Sequence, residues 1–160
     1  MPDWLTHILV AYSVCTVIGF RYKQFNTENT VIAMVGALLP DLYKLAIPIQ
    51  NFSGYDLSIF ISTFHMPIGS LILAAMFSLL FKEKKLVFLF LILGFLTHFG
   101  LDLLMTYYTG GIYLFYPLSW SQYQLGLITT VDYNVNILVI ILAILVFGIS
   151  HYQNKSKLTN

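Results

Sequence analysis

Charged residues are scarce in this chain: Asp, Glu, Lys and Arg make up 9% of its 160 residues, against about 25% in soluble domains. That is too little charge to wet the surface of a compact domain, which excludes an ordinary soluble fold and a solvated disordered tail. The formal net charge of +1 leaves no basic stripe for DNA or RNA, so nucleic acid is not an expected partner. The single cysteine, Cys15, lies inside an apolar run and cannot pair within the chain, which excludes a disulfide scaffold. An internal repeat of fixed period and low-complexity segments are also lacking. The chain is instead rich in apolar residues: 58% are hydrophobic and 16% aromatic, and mean hydropathy is +0.79. This is the composition of an integral membrane protein with the lipid bilayer as its first partner.

Apolar stretches of membrane length follow one another. Trp4 to Phe20 is at the short end of a spanning helix; with Asp3 and no Lys or Arg at its start, it does not read as a signal peptide. Val31 to Ile49 is interrupted by Pro40, Asp41 and Lys44 and reads as a broken helix, tolerated where the freed backbone is buried or lines a wet cavity. Leu57 to Phe81 carries His65 and Pro67 near its start. Leu86 to Tyr108 is uniformly apolar until His98, and Asn134 to Ser150 is the last stretch. The pattern predicts an all-α, polytopic membrane bundle of four to five spans, one of them broken near Pro40. Residues 1–152 form a single membrane-embedded domain and 153–160 a polar tail.

Lys and Arg positions orient the spans. If each stretch crosses once, Arg21, Lys23, Lys82, Lys84, Lys85, Lys155 and Lys157 fall on one side and only Lys44 on the other. The positive-inside rule makes the first side cytoplasmic, predicting a multi-pass protein of the cell (inner) membrane with its amino terminus outside and its carboxyl terminus inside. The same assignment places Asp3, Asp41, Asp56, Asp102 and Asp132 at or beyond the outer ends, and His7, His65 and His98 in the outer parts of their spans. Trp4, Trp120, Tyr107, Tyr108, Tyr113 and Tyr116 fall near that outer interface, as an aromatic belt does.

Ionisable groups inside a membrane segment are costly and point to function. His98 and Asp102 are four apart on one helical pattern, so both side chains share a face within reach of one ion. Imidazole nitrogen with carboxylate oxygen suits Zn²⁺, or Mn²⁺ or Fe²⁺; the alternative is a structural His–Asp hydrogen bond. His7 lies one turn into the first span, and on its own is either a ligand or a polar residue facing a neighbouring helix. His65 precedes Met66-Pro67 at the start of a span. Asp41, beside the helix break, is either a ligand or base, or a turn or cap residue. Asp132 reads as an N-terminal residue of the last helix. His151 falls in the tail on the opposite side and is excluded. Jointly, three His and two Asp from four segments converge on one membrane face.

The chain resembles the membrane-bound, predicted metal-dependent hydrolases, small proteins of the inner membrane. Three landmarks carry the resemblance: Thr6-His7-Ile8-Leu9; Gly36-Ala37-Leu38-Leu39-Pro40-Asp41; and Thr97-His98-Phe99-Gly100-Leu101-Asp102-Leu103-Leu104, which runs through Gly110-Gly111 to Tyr116-Pro117-Leu118-Ser119. His65 with Gly69-Ser70-Leu71 resembles that family's central His region. The family often carries a second acid where this chain has Tyr43, and a central His pair where it has only His65, which favours one metal over two or three. The order of His and Asp is also similar, more loosely, to that of zinc-dependent phospholipase C enzymes.

The resemblance implies a hydrolase acting at the outer membrane face. His7, His65, His98 and Asp102 would hold a divalent metal, zinc first, with Asp41 a further ligand or the general base. Headgroup depth implies a lipid-like substrate, and the phospholipase-like order implies a phosphoester. No Gly-x-Ser-x-Gly motif is present, and Cys15 lies away from every His, which argues against serine or cysteine nucleophiles. Two alternatives remain: a metal or proton transporter, which needs ionisable groups at successive depths, and a non-catalytic membrane scaffold.

Overall fold

Asp3 opens the first helix. Its carboxylate accepts the Thr6 N–H at 2.8 Å and caps α1 (Trp4–Gly19), satisfying one of the donors that a helix start leaves without an internal partner. Asn26 caps α2 (Thr27–Gly36) in the same way through the Asn29 N–H. A 3₁₀ segment (Leu39–Leu45) and α3 (Ala46–Ser53) follow, then α4 (Pro67–Ser78), α5 (Lys84–Leu104) and α6 (Tyr133–Leu158). The computed structural model describes residues 3–56, 63–107, 110–129 and 133–158. Asp132, Tyr108 and the first residues of the Leu57–Phe81 stretch lie outside them.

The result is an all-α membrane bundle. Among the described residues, α5 and α6 are each long and apolar enough to cross a bilayer. A third span is formed if α2 is joined to Leu39–Ser53 across a 46° bend, and α1 and α4 are shorter apolar helices. The four to five spans read from the sequence thus become two full-length helices, one broken pair and two short helices. Pro67 occupies the first turn of α4, where its missing N–H costs no hydrogen bond. Helix α6 runs past Ser150 to Leu158 and takes in His151 and most of the segment read as a polar tail, whereas α5 stops at Leu104 instead of reaching Tyr108. Its last carbonyls are taken by the returning loop, with Leu125 N–H donating to Leu103 and Leu127 N–H to Leu104. The chain then leaves as a short strand, Met105–Thr106, paired in parallel with Ile128–Thr129.

Helix α5 is the centre of the bundle and contacts α1, α2 and α4. Its Leu91, Phe95 and Phe99 pack with Leu39, Ala74 and Ile112, and its Phe90 with Cys15 and Ala33. Two glycines set the α2–α5 crossing. A Cβ at Gly94 would lie 1.9 Å from the Ala33 carbonyl oxygen, and one at Gly36 would lie 2.3 Å from that of Leu91. Only small residues let helix backbones approach this closely in a membrane. Helix α6 packs along α1, and most of its large side chains, Ile140 to Ile149 among them, face outward.

A buried histidine and carboxylate centre

The start of α1, the end of α2, the start of α4 and the end of α5 meet at one end of the bundle, and each contributes to a common cluster. Capping by Asp3 fixes His7 one turn into α1. A second tie holds that turn in place: Thr6 Oγ1 lies 2.8 Å from Asp3 Oδ1 and 3.0 Å from Asn136 Oδ1 on α6. Past Gly94, one further turn of α5 carries His98, and the next Asp102. Because Gly36 and Gly94 bring the two backbones together, the Ala37 carbonyl at the end of α2 reaches His98 Nδ1 at 2.8 Å. The break after α2 then turns Asp41 inward. His65, just before Pro67, is held by a close packing of its own segment: a Cβ at Gly69 would meet the Thr63 carbonyl at 2.1 Å, and Ser70 Oγ donates to the Phe64 carbonyl at 3.0 Å.

All five residues singled out in the sequence, His7, Asp41, His65, His98 and Asp102, come together. Asp102 is the hub. Its Oδ1 is 3.6 Å from His7 Nε2, and its Oδ2 is 3.2 Å from His65 Nε2 and 3.3 Å from His98 Nε2. Asp41 Oδ1 is 3.8 Å from His65 Nε2. The His7 and His98 rings stack at 3.7 Å, and Phe99 closes an apolar wall edge-on to His65 and His98. His7, Asp41, His98 and Asp102 are each at most 1% exposed.

Hydrogen bonding alone does not account for this arrangement. The Ala37 carbonyl can only accept, so it assigns a proton to His98 Nδ1 and, in the neutral ring, leaves a lone pair on Nε2. That lone pair faces a carboxylate oxygen, an acceptor against an acceptor. His7 Nδ1 and Nε2, Asp41 Oδ1, His98 Nε2 and both Asp102 oxygens are buried without a hydrogen-bond partner, at a cost of about 1–3 kcal/mol for each such group. A shared cation resolves the conflict. A tetrahedral ion with bonds of about 2.0–2.2 Å holds its ligands roughly 3.3–3.6 Å apart, close to the separations around Asp102. Two overlapping triads, His7–His98–Asp102 and Asp41–His65–His98, each bring their ligand atoms within 4.8 Å of one another. The donor set fits a divalent metal, and a bond such as that of His98 to the Ala37 carbonyl is the kind of outer support that orients an imidazole towards an ion.

Three parts of the centre are not evident from residue spacing. Lys44 binds Asp41 Oδ2 from the rim, with 27% of its side chain exposed; the signal was its isolation as the one basic residue on the side rich in Asp. The Ala37 carbonyl is a backbone group and leaves no trace in residue types. The Asp3–Thr6–Asn136 tie joins residues far apart in the chain. Cys15 is buried against Ala33 and Phe90, apart from the cluster. Trp120 packs edge-on with Tyr113 and Tyr116 in the loop after α5.

Fold and centre together define a helical membrane protein with a buried His and Asp cluster at one end of its bundle. The chain belongs to the YdjM inner membrane protein family, whose model matches residues 1–159. No curated protein and no solved structure matches it.

Proposed function

We propose that this protein is a membrane-embedded, metal-dependent hydrolase acting at the extracytoplasmic face on a lipid-borne phosphoester. The observation that carries the reading is the convergence of three histidine rings on the carboxylate of Asp102, with His98 Nε2 and both Asp102 oxygens buried without a hydrogen-bond partner. In this reading His7, His65, His98 and Asp102 hold one divalent ion, zinc by the chemistry of the set. Such an ion supplies Lewis-acid polarisation of the scissile group and a water acidic enough to ionise near neutral pH.

The chain's own groups do the rest. Asp41 is the general base: Lys44 occupies its Oδ2, so its Oδ1, on the His65 side, is the atom that takes the proton. Lys44 also presents positive charge at the rim, where a phosphoryl group would enter. An apolar groove of about 330 Å³ runs beside the centre, lined by Pro67, Leu71, Phe95, Leu114 and Tyr116. Phe95 packs on Phe99, which packs on His65, so the groove lies one ring away from the cluster and suits the acyl part of a lipid. The Lys and Arg distribution supports the extracytoplasmic placement. Between the cluster and the opposite face, the described residues Ala11, Cys15, Ala33 and Phe90 close the interior with buried apolar side chains, which disfavours a transport pathway.

The test is hydrolysis of lipid phosphoesters, phosphatidic acid and phosphatidylglycerol first, by zinc-loaded protein in detergent. Asp41→Asn should lower kcat by about 10²–10⁴ while zinc content stays unchanged. Zinc-loaded wild type that cleaves none of the phosphoesters, or an Asp41→Asn variant as active as wild type, overturns the reading.

A further inference from the structure

A second cavity, of about 640 Å³, lies at the end of the bundle away from the His and Asp cluster, between α1, α2 and α6. Helices α2 and α6 both pack against α1 and leave a groove over its Tyr12, Thr16 and Gly19 face. Along α2 it runs from Asn26 to Met34, about 12 Å at 1.5 Å per residue.

Its lining is mixed. Met34, Val31 and Phe147 give it apolar lining, and Lys23 and His151 line it towards the ends of α1 and α6. Tyr12, Thr16, Thr30 and Ser150 add hydroxyls to the lining. Elsewhere in the bundle Ser13, Ser78 and Thr97 donate to carbonyls of their own helices at 2.7 Å, the usual solution for a hydroxyl in hydrocarbon. Thr30 is itself buried and stands in the lining of the groove. The links between helices and the end of α6 on this side of the bundle carry Arg21, Lys23, Lys82, Lys84, Lys85 and Lys155, against the acids Glu28 and Glu83, and of these Lys23 lines the groove.

We infer that this groove binds one anionic glycerophospholipid from the leaflet on that side. Its acyl chain lies against Met34, Val31 and Phe147; its ester carbonyls accept from the hydroxyls; its phosphate pairs with Lys23. Apolar side chains, hydroxyls and a basic residue occur together there, the partners that the chain, esters and phosphate of such a lipid need. The site is separate from the metal centre and does not depend on the hydrolase reading.

Native mass spectrometry of the full chain in neutral detergent tests this, with dioctanoyl phosphatidylglycerol, dioctanoyl phosphatidylcholine and glycerol phosphate as probes. Phosphatidylglycerol should bind at least about fivefold more tightly than phosphatidylcholine, and Lys23→Gln should remove that preference. Thr16→Trp, which fills the floor of the groove, should weaken both lipids by about tenfold; Ser150→Trp from the facing helix should do the same if the first variant does not fold. Equal binding of the two lipids by wild type overturns the inference. So do full binding by a well-folded tryptophan variant, glycerol phosphate binding as tightly as the lipid, and a dimer that lipid does not displace.

Discussion

Helices α5 and α6 are nearly indistinguishable by hydropathy, with mean values of 2.1 and 2.3 over their spanning windows, yet half of the α5 window is buried and only 11% of the α6 window is. The difference comes from a few residues. Gly94 lets α5 touch the backbone of α2, and His98 and Asp102 continue the same helix into the centre. Helix α6 has Gly148, where an added Cβ would meet nothing within 4 Å, and after its Asn136 tie to α1 it offers lipid a surface of Ile, Leu and Phe. Hydropathy locates both helices in the bilayer; the placement of small and ionisable residues decides which of them organises the protein.

This contrast can be broken or sharpened by substitution. The largest effect is expected at Gly94→Leu, whose side chain would occupy the space of the Ala33 carbonyl. Overpacking of this kind costs about 3 kcal/mol or more when backbone must move, and it separates Ala37 from His98, so both unfolding resistance and metal retention should fall. Leu91→Ala in the core of α5 should cost about 2 kcal/mol, mainly through lost packing, because lipid is as apolar as the vacated site. Loss of the α1 cap in Asp3→Ala should cost about 1 kcal/mol and loosen His7. Leu145→Ala on the outer face of α6 should change stability by less than about 0.5 kcal/mol. Denaturant titration in mixed micelles checks the series, and a Leu145→Ala cost equal to that of Leu91→Ala would erase the contrast between the two helices.

Much of the centre was legible before any fold was known. Charges are so few that each ionisable residue inside an apolar stretch stood out, and the alignment of His7, His65 and His98 with Asp41 and Asp102 at one face required only the order of the spans. The helix break at Pro40 was equally visible. What the sequence could not convey was tertiary: the Ala37 carbonyl that orients His98, the reach of Lys44 to Asp41, and the parallel pairing of Met105–Thr106 with Ile128–Thr129 that ends α5 at Leu104. Hydropathy overstated α5, because Met105 scores like a helix residue although it lies in the strand, and understated α6, whose polar residues after Ser150 continue the helix to Leu158.

The central claim is that His7, His65, His98 and Asp102, with Asp41 beside them, form a site for one divalent ion, and elemental analysis of the purified protein tests it most directly. Wild type supplied with Zn²⁺ should retain about one metal ion per chain after extensive buffer exchange. His98→Ala, which removes the ligand the two triads share, and Asp102→Ala, which removes the carboxylate on which the histidines converge, should retain almost none while remaining helical. Wild type that holds no stoichiometric metal with either Zn²⁺ or Mn²⁺, or variants that retain as much as wild type, would contradict the account.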